Sequence, residues 1–338
     1  MAGLIVAGFH RSGTSSVTQA LAKCGIQAGD ELMDGNEFNQ HGHFEDWPVV
    51  RFHDSVLERC GLDWATPLEA PIELTDQEAG WIEAYIRERE AKEDLWALKD
   101  PRICRFVEHW RSSADNVRFL IVYRNPIESV HSLNRRENIN IVRSLGKDRR
   151  AQYFLDKPDL ALRLWIEHNA ALLKFARVHA RECIVIGHHH YLAGFDVFSA
   201  ISDLLGGRRI SAPEAGTIDE RAISKKHPHL YVNDADLIPD ALDIWRSLQQ
   251  IDVACAEGAL GMDISSSLHH DPTGEISSAF LASYQVSELH KITELNEENA
   301  KLIKDTKSII KKISEFPFSI YFKNKDKYAK VMQRYDLE

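Results

Sequence analysis

Residues 8 to 15 read G-F-H-R-S-G-T-S, two glycines framing a cation and ending in hydroxyls. A short apolar run, G-L-I-V-A at 3–7, precedes the loop, and a helical pattern through Val17, Leu21 and Ala22 follows it. Strand, glycine loop and helix start together make an anion site, because successive N–H groups at a helix N-terminus converge on a negative group. Against the template G-x-x-x-x-G-K-[ST], Gly8 and Gly13 sit in place and Ser15 takes the hydroxyl position, but Thr14 replaces the lysine. The cation is instead Arg11, earlier in the loop. The apolar runs that end in L-W-A-L-K-D and I-V-Y-R carry no ordinary magnesium-holding aspartate, and Lys99 beside Asp100 would oppose the ion. The expected ligand is therefore a phosphate-bearing donor handled without metal. The plain alternative is a Gly-Ser turn that only caps a helix.

A second constellation lies at 119–132, where F-L-I-V-Y runs into R-N-P-I-E-S-V-H-S. Arg124 would project from the carboxyl end of a strand, the edge at which open α/β sheets bind ligands. Ser132 lies about two helical turns further on and meets the same phosphate only if the ligand runs alongside that helix. The competing partner for Arg124 is Glu128. In L-K-D-P-R (98–102), Lys99 stands at a strand end, whereas Asp100 and Arg102 are expected to hold the turn. The stretch N-Q-H-G-H-F-E-D (39–46) offers Glu45, His43, Asp46 and, further on, His53 as proton acceptors, with Arg51 a competing partner for Glu45. His41 and His43 lack the further ligands a metal would need. The run His188-His189-His190 is read as surface.

G-F-H-R-S-G-T-S-S resembles the 5′-phosphosulfate loop of the sulfotransferases that use 3′-phosphoadenosine-5′-phosphosulfate (PAPS), in particular the bacterial branch with loops of the type G-x-H-R-S-G-T-S. The resemblance implies that Arg11, Ser12, Gly13, Thr14, Ser15 and Ser16 hold the 5′-phosphate and the oxygen bridging to sulfate. Arg124, Pro126 and Ser132 match the family's 3′-phosphate motif, and K-D-P-R matches a segment of the same branch. I-D-E-R-A-I-S-K-K-H (218–227) is similar to a segment that closes over the nucleotide, which puts Lys225 or Lys226 on the 3′-phosphate. A G-x-F-E segment implies Glu45, or else His43, as the base, with Arg11 and Lys99 stabilising charge on the leaving oxygen. The resemblance spans roughly residues 3 to 260 and not 263–338.

These groups need a frame. Apolar runs at 3–7, 95–98, 117–123 and 183–186 alternate with helical patterns at 49–59, 81–93, 126–136 and 159–180, and with a further helix ending at Gly206-Gly207. Thr75 with Glu78 forms a capping box before the helix at 81–93. The alternation predicts an α/β, P-loop-like three-layer fold with a central parallel sheet flanked by helices, plus a C-terminal helical extension. The expected organisation is an α/β domain over 1–262, a Ser/Gly/Pro-bearing linker over 263–283 and a helical extension over 284–338. Ile292, Leu295, Asn299, Leu302, Thr306, Ile309 and Ile313 fall on alternating heptad positions. That pattern suits a short coiled coil joining two copies, or an amphipathic helix packed on its own domain. Acceptor-binding loops are expected at 30–70 and 138–155.

The chain has 338 residues, 44% hydrophobic and 27% charged, an ordinary globular composition. Its 41 Lys and Arg against 51 Asp and Glu leave a net charge of −10, which argues against a nucleic-acid partner. Five cysteines without C-x-x-C spacing read as reduced, mostly buried thiols. No apolar run approaches a membrane span, and with no secretory leader the expected location is cytoplasmic. The leading expectation is an enzyme that passes a sulfonyl group from PAPS to a hydroxyl of a glycan or other small acceptor, releasing 3′-phosphoadenosine 5′-phosphate (PAP). A nucleotide kinase or hydrolase, and a degenerate scaffold that has kept only the fold, are the alternatives.

Overall fold

The computed structural model describes residues 2–35, 42–68, 70–210 and 229–314. Strands β1 (Ala2–Ala7), β2 (Leu95–Lys99), β3 (Val117–Tyr123) and β4 (Cys183–Gly187) form one parallel sheet in the order β2-β1-β3-β4. The strands are near-continuous apolar runs, as a parallel sheet covered on both faces requires. Ile5 lies opposite Leu98 on one side and Phe119 on the other, so β1 sits at the centre with its neighbours in register.

Alternate residues feed two cores. Ile5, Ala7, Phe119, Ile121 and Tyr123 pack with α2 (Trp47–Arg59), α3 (Asp76–Lys92), α4 (Ile103–Ser112), α5 (Pro126–Arg143), α6 (Arg149–Asp156), α7 (Leu160–Val178) and α10 (Leu237–Gln250). Leu4, Val6, Leu120, Val122 and Ile186 face the other way, against α1 (Thr14–Lys23), α8 (His188–Leu192), α9 (Val197–Leu204) and α11 (Val253–Ala256). The result is the expected three-layer α/β arrangement. The chain leaves β1 for β2 on one side and then crosses to β3 on the other. The carboxyl ends of β1 and β3 therefore flank the crevice where such sheets bind ligands.

Local chemistry explains the helix starts. The Thr75–Glu78 capping box opens α3: the Glu78 N–H donates to Thr75 Oγ1 at 3.3 Å and the Thr75 N–H to Glu78 Oε2 at 2.7 Å. Asn125 caps α5 by accepting the Ile127 N–H at 2.8 Å, with Pro126 in the first helical position. That helix runs to Arg143, seven residues beyond the expected end at 136. Buried Ile139 carries it onward despite an Asn-rich stretch of modest helix propensity. The loop expected at 138–155 accordingly shrinks to 144–148, since α6 fills 149–156. The helix expected to end at Gly206-Gly207 is two helices, α8 and α9, parted at Gly194, whose φ is 93°. Of the cysteines only Cys104 is fully buried, and Cys60 is exposed.

Residues 263–283, expected as a linker, are structured. A 3-10 turn at Ser265–Ser267 leads into β6 (Leu268–His270), which pairs in parallel with β5 (Leu230–Val232) as a second, two-stranded sheet. Asp271 then accepts from the Ser277 N–H and Oγ and starts α12 (Glu275–Ser314). The Ser and Gly of this stretch serve turns and a cap, not a flexible tether. The first compact unit runs from Met1 to Tyr284, the second from Gln285 to Glu338. In the second, Leu295 and Leu302 of the heptad pattern are exposed; the side chains of Ile309 and Ile313 lie outside the described residues. Among the described residues no helix is long and apolar enough to cross a membrane.

Candidate functional site

The loop after β1 is shaped by two close approaches. At Gly8 an added Cβ would stand 2.4 Å from the carbonyl oxygen of Val122, so β1 and β3 meet there without room for a side chain. At Gly13, φ is 88° and an added Cβ would fall 2.1 Å from the His188 ring. Arg11 also has a positive φ, 65°, an uncommon state for a non-glycine residue that costs about 1–3 kcal/mol and concentrates at functional sites. The Ser12 N–H closes the turn onto the Phe9 carbonyl at 3.1 Å, while its buried hydroxyl has no partner among the described residues. Helix α1 then starts at Thr14 with no side-chain cap, a geometry that leaves its first turn to meet an anion. The Thr14 methyl packs under Gly8, the Ser15 hydroxyl donates to the His43 carbonyl at 3.3 Å, and the Ser16 N–H donates to the Gly13 carbonyl.

The second constellation meets this loop directly. Arg11 Nε donates to Ser132 Oγ at 2.9 Å, across 121 residues of sequence. Arg124 Nη1 donates to the Arg11 carbonyl at 3.2 Å, and its Nε to Glu128 Oε2 at 2.8 Å. Of the two partners weighed for Arg124, Glu128 is present and orients the guanidinium, which also reaches the loop at the Arg11 carbonyl. The Arg124 carbonyl accepts the Trp165 indole N–H, which fixes the strand end from below.

The third group closes the other side. Lys99, at the end of β2 and 2% exposed, donates from Nζ to Glu45 Oε1 at 2.6 Å and to the His43 carbonyl at 2.9 Å. Segment 42–46 is thereby pinned over the loop by Ser15 and Lys99 together. Arg51 pairs with Glu31 and leaves Glu45 to Lys99. Asp46 takes no place in the site: it accepts the Glu31 N–H and the Tyr85 hydroxyl, both at 2.8 Å. His53 is fully buried between Asp100 (2.9 Å) and the Trp110 indole N–H (3.0 Å), a structural post. Arg102 donates to Asp100 Oδ1 from its N–H and Nη1, which holds the turn after β2. Lys225, Lys226 and His41 lie outside the described residues.

Cations crowd the centre. Burial, followed by like charge from Arg136, Arg124 and Arg135, lowers the Arg11 guanidinium to about 9, still charged at neutral pH. His43 is lowered to about 4 by burial and then by Lys99, Arg136 and Arg11, so its ring is neutral and its 3.9 Å approach to Glu45 is no ion pair. A bound anion would relieve this crowding. Arg136 is a residue the motifs did not single out, although it stands four residues after Ser132 on one helix face, the spacing that brings side chains together. His188, read as surface, is 6% exposed, packed on Gly13 and lowered to about 3 by burial and Arg124. Its place at the carboxyl end of β4 was the signal that could have found it.

Among the described residues, His190, Asp252 and Cys255 have metal-ligand spacing. Asp252 is already saturated by the Tyr123 hydroxyl, the Gly187 and Ala254 N–H groups and His190. The cluster ties β3, β4 and α11 together.

No family model and no curated protein matches the chain. Among solved structures it is similar to a sulfotransferase domain from the curacin biosynthetic pathway, at 12% identity and TM-score 0.40, covering 73% of this chain and 98% of that one. It is also similar to a sulfotransferase from Alicyclobacillus acidocaldarius, at 14% identity and TM-score 0.41, covering 77% and 97%. A third is the sulfotransferase STF9 from Mycobacterium avium, at 16% identity and TM-score 0.37, covering 73% and 76%. Likeness this distant does not transfer an activity, and the function proposed next rests on the chain's own site.

Proposed function

We propose that the chain is a sulfotransferase that takes its sulfonyl group from PAPS and passes it to a hydroxyl of a small-molecule or glycan acceptor, releasing PAP. The observation that carries this is the junction of the two arginine motifs: Arg11 on Ser132, and Arg124 on the Arg11 carbonyl. A nucleotide with phosphates at both 5′ and 3′ positions calls for two cationic anchors within one adenosine's reach. The amides at 13–15 and Arg11 take the 5′-phosphate; Arg124 and Ser132 take the 3′-phosphate. The buried Ser12 hydroxyl, which has no partner among the described residues, fits a phosphate pressed against backbone.

Lys99 meets the sulfonyl oxygens and the bridging oxygen as charge develops there, the kind of group whose removal costs about 10²–10³ in rate. Glu45 aims and holds that lysine. Its 2.6 Å ion pair supports this task rather than the base role implied by its motif. Asp100, where a magnesium-binding carboxylate would stand in a nucleoside triphosphatase, is committed to His53 and Arg102.

Calorimetric titration tests the reading. PAP is expected to bind without magnesium and more tightly than ATP or GTP with magnesium. Tight magnesium-dependent binding of ATP or GTP, with no binding of PAP, would replace sulfonyl by phosphoryl transfer.

A further inference from the structure

A sulfonyl transfer to a hydroxyl needs a group to take the hydroxyl's proton. With Glu45 held by Lys99, a different side chain in the loop stands ready. His10 is 9% exposed, and its Nε2 is buried with no hydrogen-bond partner among the described residues. Burying an imidazole nitrogen unpaired is unfavourable, and such an atom calls for a bound group, an ordered water or a catalytic task. The ring is fixed on three sides by rings that offer it no proton: Trp64 at 4.5 Å, Phe9 at 5.8 Å and His168 at 6.5 Å between centroids. His168 faces away in hydrogen bonding, its Nδ1 on the Leu164 carbonyl at 2.7 Å. Arg136 lies over the same Trp64, 5.3 Å from its centroid. His10 therefore stands between a rigid aromatic wall and the cationic centre, one residue before Arg11.

Resting on the sulfotransferase reading, we infer that His10 is a catalytic residue, its Nε2 accepting the proton of the incoming hydroxyl. As the hydroxyl oxygen bonds to sulfur, the bond from sulfur to the oxygen on the 5′-phosphate breaks. That electron pair leaves with PAP, and the proton moves to Nε2 and then to water when product departs. The charged and titratable groups facing His10 are Arg136 from α5, His168 from α7, and Arg102 with Asp100 from the turn after β2. Burial first, then Arg136, His168 and Arg102 against the opposing Asp100, keep the ring neutral at pH 7, so a lone pair is available. The negative phosphates of a bound nucleotide offset the cations and make the ring more basic only when donor is present.

The test uses the full chain, PAPS as donor and water as the acceptor, with sulfate release as the rate and calorimetry with PAP as the binding measure. For His10→Gln and His10→Phe, PAP affinity is expected to stay at the wild-type value while sulfate release falls about 10²–10⁴-fold. His10→Phe removes the orphaned nitrogen and is expected to melt no lower than wild type. Variants that release sulfate at the wild-type rate would overturn the inference. So would a wild-type protein that binds PAP but releases no sulfate, or a His10→Phe protein that melts lower and loses PAP, which marks a purely structural ring. Failure of the wild type to bind PAP at all would remove the sulfotransferase reading itself, a different result from any of these.

Discussion

Arg124 has a strand at its back, Glu128 at one nitrogen and the phosphate loop at another. Its charge is therefore placed before any ligand arrives, which lowers the ordering cost of binding. A hydrogen bond to a charged group contributes about 1.5–3 kcal/mol, so Arg124→Ala should weaken PAP about 10- to 150-fold. Adenosine 5′-phosphate, which lacks the 3′ group, should lose far less; calorimetry on both ligands reads the difference, and equal losses would remove Arg124 from the 3′-phosphate. At this scale the sequence was legible wherever partners are a few residues apart. The Gly8–Ser16 loop and the Arg124–Ser132 spacing could be read directly. The Lys99–Glu45 pair, across 54 residues, and the approach of Arg136 to His43 could not, because they depend on how segment 42–46 and α5 come together.

Elements decide where these groups point. Four parallel strands end on one edge, and each delivers something: the loop after β1, Lys99 from β2, Arg124 from β3, His188 after β4. The loop is held from both sides, by His188 against Gly13 and by Ser132 on Arg11. Gly13→Ala should fail on both counts, a positive φ and a Cβ in the His188 ring. A loss of at least about 1 kcal/mol is expected from the backbone alone, seen as a lower denaturant midpoint, together with weakened PAP binding. An unchanged midpoint would mean that the loop and α8 separate easily. The strands were legible because buried parallel strands are unbroken apolar runs. Helix α5 outruns its expected end because packing at Ile139 overrides propensity, and 263–283 is structured where a linker is expected because Ser and Gly mark turns as readily as tethers.

At the scale of the molecule, the histidines set a pH limit. His168 and His188 are lowered to about 3 and His43 and His189 to about 4, all mainly by burial, from an ordinary 6.5. Below 6.5 the unfolded chain takes up protons that the folded one refuses, so stability is full above that pH and falls as pH drops toward 4. Urea midpoints at pH 7.5, 6 and 5 should decline in that order; a flat series would show that these rings are solvated in the folded protein. The heptad pattern from Ile292 to Ile313 leads to a separate expectation. The full chain should sediment as a dimer, and a chain ending at Tyr284 should be a monomer that still binds PAP. A monomeric full chain would leave the exposed Leu295 and Leu302 without that role.

The most direct test is a crystal structure with PAP. The 5′-phosphate should lie on the amides of residues 13–15 beside Arg11, with the 3′-phosphate within hydrogen-bonding distance of Arg124 and Ser132. A PAP molecule seated elsewhere, or one whose 3′-phosphate turns away from Arg124, would contradict the proposal that two arginines grip one nucleotide.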